Sequence, residues 1–117
     1  MWSSMPYLTT GLIDNTAVAS VRKSSRLTVE ITNEDISTVA IQIEGFLQSG
    51  TIKVKYVDEF FTLTAGTVAL RNYYTLFDAF EFQFFVSSQA VNVSAWGKDI
   101  TGNLTLDYRV FVEEDTK

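Results

Sequence analysis

The sequence predicts an all-β domain: about eight antiparallel strands in a jelly-roll-like sandwich, preceded by an extended N-terminal arm. Apolar and polar residues alternate with a period of two along most of the chain, and helical periodicity is nearly absent. The alternating runs recur at roughly 8–12-residue spacing with turn-forming residues between them, which is typical of sandwiches and barrels. The length of 117 residues fits one domain with one core.

Each predicted strand places apolar residues at every second position. Gly45 interrupts the second pattern and predicts a β-bulge or a close approach of two backbones. Phe80, Phe82 and Phe84 share one face and are predicted to fill the core. The connections are short, which favours antiparallel pairing, with an immunoglobulin-like sandwich as the competing architecture. In chain order, the alternating runs cover residues 27–31, 39–43, 52–56, 61–63, 68–70, 80–84, 91–95 and 104–112.

Residues 1–15 differ from the domain predicted over residues 16–117. They lack strict alternation and contain Pro6, which cannot donate a backbone hydrogen bond. The alternatives are a disordered terminus and an arm that docks on its own domain or on another copy. Burial of large apolar side chains favours docking, and we expect the arm to act as an inter-subunit connector. Its apolar residues are Trp2, Met5, Tyr7, Leu8, Leu12 and Ile13.

Three aromatic residues fall on the outward register of their predicted strands. Phe85 lies opposite the core-facing phenylalanines, and Trp96 and Phe111 alternate with inward apolar positions. Exposed aromatic side chains are enriched at protein interfaces. We therefore predict that Phe85, Trp96 and Phe111 contribute to self-assembly. The alternative is that they cap the ends of the core.

Composition argues against several functional classes. The formal net charge is −5 and the pI is about 4.5, which is the wrong balance for a surface that binds nucleic acid. The chain has no cysteine and no histidine, so disulfides, thiolate chemistry and histidine acid–base catalysis are excluded. No metal-ligand, nucleophile or phosphate-loop motif stands out, and no run is long enough for a membrane helix. We expect no enzyme, no cofactor, no metal site and no membrane partner.

Five runs of the sequence carry a resemblance to known proteins: residues 11–15, 20–31, 42–46, 77–82 and 94–98. These runs resemble small uncharacterised proteins of spore-forming bacilli. More distantly, an arm followed by an eight-stranded domain resembles the endospore appendage subunits. That resemblance implies jelly-roll subunits whose N-terminal connectors reach into preceding subunits of a fibre. Those subunits carry connector cysteines, whereas this chain has none, so such a fibre would be non-covalent.

These observations lead to one main functional hypothesis and two alternatives. The main hypothesis is a structural subunit of a self-assembling bacterial surface fibre, a homopolymer with an anchor or tip protein on the spore surface. The resemblance implies an extracellular, spore-surface location, which we expect to be reached without a signal peptide because the first residues lack its features. The alternatives are a carbohydrate- or surface-ligand-binding module that uses Trp96 and Tyr74, and a phage or virion structural component.

Overall fold

A computed structural model describes residues 7–113, which contain ten β-strands and no helix. The prediction of an all-β sandwich is confirmed, with more strands than the eight expected. The strands are β1 (Tyr7–Thr9), β2 (Ile13–Asp14), β3 (Arg26–Asn33), β4 (Val39–Ser49), β5 (Ile52–Leu63), β6 (Val68–Tyr74), β7 (Ala79–Val86), β8 (Val91–Lys98), β9 (Leu104–Tyr108) and β10 (Phe111–Glu113).

The strands form two antiparallel sheets. The larger sheet has the order β10-β1-β7-β4-β5, with β2 also pairing with β7, and the smaller sheet has the order β6-β3-β8-β9. Hairpins join β4 to β5 and β8 to β9, whereas the other connections after β3 cross from one sheet to the other. Crossing connections of this kind make the two sheets one sandwich with a single core.

The core consists of the inward positions of both sheets. Phe80, Phe82 and Phe84 on β7 are fully buried, as the sequence predicted. They face the fully buried Leu27 and Ile31 of β3 in the smaller sheet. β7 is therefore the central strand of the larger sheet. It pairs with β4 on one edge, and its other edge is open to the arm.

Gly45 occupies a bulge, as the alternation predicted. The register between β4 and β5 shifts between Gly45 and Phe46. A Cβ atom at Gly45 would lie 2.6 Å from the Phe82 ring and 2.9 Å from Val57, closer than atoms can pack. Glycine is therefore required because β4 passes directly over the aromatic core.

Three additional strands come from the two ends of the chain, whereas the predicted runs 52–56 and 61–63 join into the single strand β5 because the chain continues without a turn between them. The run 104–112 predicted one strand, but the chain leaves the smaller sheet after Tyr108 and joins the larger sheet at Phe111 as β10. Within the arm, residues 7–9 and 13–14 form β1 and β2 on the larger sheet of the same chain.

Candidate assembly site

The arm strand β1 fills an interior position of the larger sheet, between β7 and β10. Leu8 lies opposite Phe84 on one side and Val112 on the other. β1 is antiparallel to both neighbours, so β7 and β10 run parallel to each other, about 10 Å apart at twice the usual strand spacing. We call the space between β7 and β10 that β1 occupies the strand slot.

Two threonines hold the arm in the strand slot. Thr10 donates its backbone N–H to the Phe82 carbonyl at 3.0 Å, and its hydroxyl accepts the Phe82 N–H at 3.1 Å. The Thr9 hydroxyl donates to Glu81 Oε2 at 2.8 Å and accepts the Gly11 N–H at 2.9 Å. Both threonines are buried, and the two Thr10 bonds replace water that the backbone of Phe82 on β7 would otherwise bind.

Glu81 supplies the main charge at the strand slot. Burial alone would raise the pKa of its carboxyl group, but hydrogen bonds from Lys53, Thr9 and Gln83 outweigh that effect and lower it. The Lys53 Nζ atom lies 3.0 Å from Glu81 Oε1. The arm therefore docks against a carboxylate that stays ionised.

The arm ends at a buried polar residue, Asn15, whose side chain is 1% exposed. Its Nδ2 atom donates to the carbonyls of Ser24 at 2.9 Å and Thr75 at 2.7 Å, and its Oδ1 atom accepts the Ser24 N–H at 3.0 Å. Its carbonyl accepts from Arg22, which also pairs with Asp78 at 2.8 Å. These contacts tie the end of the arm to the β6–β7 connection.

A tight exposed turn joins the arm to the body. Val18 and Val21 exchange both backbone hydrogen bonds, at 2.8 and 3.0 Å, and both side chains are exposed. The two central residues, Ala19 and Ser20, have φ angles of 52° and 66°, in the left-handed region. That conformation suits glycine or asparagine and is strained for alanine and serine. We call residues 16–25 the hinge segment.

The predicted assembly residues of the described chain divide between faces. Tyr7, Phe85 and Phe111 lie on the outer face of the larger sheet, where the Tyr7 and Phe85 rings are 5.1 Å apart. Leu8 and Ile13 instead pack against the core from β1 and β2. Predicted residues Trp2 and Met5 lie outside the described residues.

The remaining predicted residues lie elsewhere. Leu12 is 57% exposed between β1 and β2. Trp96 is half-buried on the outer face of the smaller sheet, opposite Thr28 and Asp107, so it does not join the aromatic residues of the larger sheet. The structure therefore brings together the arm, Phe85 and Phe111, and separates them from Trp96.

Three residues of this region were not expected from the sequence. Asn15 and Glu81 are not distinguished from other polar residues, because neither lies in a recognisable sequence motif. Phe60 is 67% exposed on the outer face of β5, in the same row as Phe85. The alternation of β5 could have identified Phe60, because it places Phe60 on the face opposite to that of the inward-facing Phe61.

Residues 7–113 contain no group of three acidic, histidine or cysteine side chains that could hold a metal ion. In the same range, no helix is long and apolar enough to cross a membrane.

Comparisons with known proteins identify no family. No family model matches the chain, and a search of curated proteins finds no match. Among solved structures, the crystal structure of Thermotoga maritima 1070 is similar, with a TM-score of 0.46 and 15% sequence identity, covering 97% of this chain and 94% of that chain. At that similarity, no conclusion about function rests on it.

Proposed function

We propose that this protein is a structural subunit of a non-covalent bacterial surface fibre, assembled by docking of the N-terminal arm onto a neighbouring subunit. The fibre is a homopolymer on the cell or spore surface, with an anchor or tip protein as its further partner. The observation that carries the proposal is the strand slot, an interior sheet position filled by a segment from the start of the chain.

An empty strand slot would leave backbone hydrogen-bonding groups unpaired. If β1 leaves, β7 loses its partner from Phe82 to Phe84, and unpaired backbone groups of a sheet readily recruit another strand. β7 and β10 cannot replace it by simple closure, because a direct pair would be parallel, with a different hydrogen-bond pattern. The arm of a second copy restores every contact of the original arm, so exchange between copies involves little change in contact energy.

The hinge segment favours the exchanged state. Opening the Val18–Val21 turn releases Ala19 and Ser20 from left-handed conformations, each of which costs roughly 1–2 kcal/mol. Because Ser24 belongs to the body surface that Asn15 binds, the free connection consists of residues 16–23, which span at most about 29 Å when fully extended. That reach exceeds the 20 Å thickness of the domain, so the arm can reach the strand slot of an adjoining copy.

Exchange in one direction along a row of copies produces a filament. Each copy donates its arm to the next and accepts an arm from the previous one, which is a head-to-tail contact that does not close on itself. The absence of cysteine means that packing and hydrogen bonds hold such a filament together. The exposed Phe60 and the half-buried Phe85 and Phe111, all on the outer face of the larger sheet, add a surface for contacts between neighbouring copies.

A cysteine trap tests arm exchange directly, because the chain has no native cysteine. Asp14 on β2 pairs with Ala79 on β7, a separation that a disulfide can bridge. Chains carrying only Asp14→Cys are mixed with chains carrying only Ala79→Cys, assembled and oxidised. Arm exchange predicts covalent dimers of the two variants on a non-reducing gel, and a covalent ladder from the double variant.

A second pair of cysteines, placed on two strands of the body, and a variant of the hinge segment serve as controls. Thr32→Cys with Asn92→Cys joins β3 to β8 and should yield only intramolecular bonds. Ser20→Gly relieves the turn and should reduce the ladder of the double variant. If the Asp14–Ala79 double variant gives only covalent monomers from samples that form filaments in negative-stain images, arms do not exchange and the proposal is wrong.

One observation favours the second candidate, a carbohydrate- or surface-ligand-binding module. Tyr74 on β6 and Trp96 on β8 lie on the same outer face of the smaller sheet, on the two strands that flank β3. Tyr74 is 58% exposed, and its ring packs edge-on against Phe77 at 5.4 Å. A monomeric form binding on a glycan array, with binding lost in Trp96→Ala, would support this function over the fibre.

A further inference from the structure

A cleft of about 420 Å³ opens at the end of the sandwich where β7 turns into β8. Leu8, Val86, Val91 and Val112 form its apolar wall, and the polar residues 87–89 lie at its rim. We call this space the end cleft. Pockets of this size accommodate one large side chain or a small ligand.

The end cleft leaves an inward-facing apolar position exposed to water. Val112 pairs with Leu8, which pairs with the fully buried Phe84, so all three residues face the core side of the larger sheet. Val112 is nevertheless 62% exposed. Covering it with an apolar side chain would be favourable, because burial of apolar surface stabilises in proportion to its area.

Both ends of the described residues lie at or beside the end cleft. Residues 1–6 precede Tyr7, which contributes to the lining, and residues 114–117 follow Glu113, which pairs with Tyr7. The first segment has the sequence MWSSMP and the second has the sequence EDTK. An apolar cleft disfavours the charged segment, since unpaired charges are costly to remove from water.

The length and chemistry of residues 1–6 suit this position. Trp2 lies five residues before Tyr7, which corresponds to a reach of at most about 17 Å. Pro6 has no backbone N–H, so it cannot extend the ladder of β1 by donating to β7 or β10. Tryptophan also has the largest apolar surface among the side chains of this segment.

We propose that the end cleft is the receptor for residues 1–6 of whichever arm fills the strand slot, with Trp2 as the anchoring side chain. The assignment of that arm to a neighbouring copy rests on the proposed function. The arm then binds at two connected sites, β1 in the strand slot and Trp2 in the end cleft, and the second site adds to the affinity of the first.

Tryptophan fluorescence of the full chain tests this assignment. The chain has two tryptophans, so Trp96→Phe leaves Trp2 as the sole reporter. In filaments, we expect blue-shifted Trp2 emission and acrylamide quenching several-fold weaker than for free tryptophan amide. In that background, Val112→Asp and Val86→Ser each make the end cleft more polar and should shift the emission to the red. Leu104→Asp, at a 60% exposed position outside the cleft, should leave it unchanged.

A second measurement links the end cleft to assembly. Trp2→Ala should raise the protein concentration needed for assembly, measured by light scattering, by about 10- to 100-fold. Filaments in which Trp2 is quenched like free tryptophan would overturn the end-cleft assignment and leave the proposed function intact. A shielded Trp2 in a chain that stays monomeric would overturn the proposed function, and with it the assignment of the arm to a neighbouring copy.

Discussion

Replacing Asn15 with alanine should destabilise the protein by about 2–4 kcal/mol. The side chain is 1% exposed and makes three hydrogen bonds of 2.7 to 3.0 Å with the backbone of Ser24 and Thr75. Each such bond contributes about 1 kcal/mol net, and a buried partner left unsatisfied adds to the loss. The expected loss is therefore a large part of the stability of a small domain.

Urea unfolding measures this loss as a lower midpoint at unchanged slope. Asn92→Ala is the matched control, because Asn92 is exposed on the outer face of β8 and its replacement should change stability by no more than about 0.5 kcal/mol. Asn15→Asp keeps the size of the side chain but places a carboxylate against two carbonyls, so it should destabilise at least as much. A loss below about 1 kcal/mol for Asn15→Ala would show that Asn15 does not connect the arm to the body as described.

Two further substitutions test the strand slot and the core. Hydrogen bonds from Lys53 and Thr9 lower the pKa of Glu81, so they stabilise the fold above the ordinary pKa of 4.5, and this contribution is lost as the pH falls through the lower, folded-state value. Urea titrations of Glu81→Gln should therefore show a smaller loss of stability in that acidic range. Gly45→Ala should destabilise by about 1–3 kcal/mol in the same assay, because its methyl group would overlap the Phe82 ring. Equal acid sensitivity of Glu81→Gln and the parent, or an unchanged midpoint for Gly45→Ala, would contradict the respective contact.

The sequence predicted most strands of the body, although the runs 52–56 and 61–63 belong to the single strand β5. Phe80, Phe82 and Phe84 follow the period of two and are buried, and Gly45 breaks that period where the register shifts. The division of run 104–112 into β9 and β10 was not predictable, because the alternation of apolar residues does not show which sheet a strand joins.

The strands and contacts of the arm depend on long-range pairing rather than on local pattern. β1 and β2 have three and two residues, and the residues around them do not alternate strictly. Asn15 is polar, and polar residues are usually exposed, so its burial follows only from the carbonyls of Ser24 and Thr75 that the fold brings to it. The strand slot likewise exists only because β10 returns to the larger sheet beside β1.

Exchange of arms could produce either open filaments or closed dimers, and a free peptide of residues 1–15 distinguishes the two. In a closed dimer, two copies swap arms reciprocally, and no strand slot remains at either end. In a filament, one terminal copy has a vacant slot that the peptide can occupy. The peptide should therefore shorten filaments in proportion to its concentration, measured in negative-stain images.

The sequence of the peptide provides its own control. Replacing Leu8 and Ile13 by aspartate removes the two side chains in the described part of the arm that pack against the core, so this peptide should leave the filament length unchanged. Conversion of dimers to peptide-bound monomers, detected by size-exclusion chromatography, would show reciprocal exchange and overturn the head-to-tail filament. A vacant slot at a growing end must accept the same arm that each incoming copy supplies, so it must also accept the unmodified peptide. Filaments whose length is insensitive to both peptides would therefore show that growth does not proceed through the strand slot.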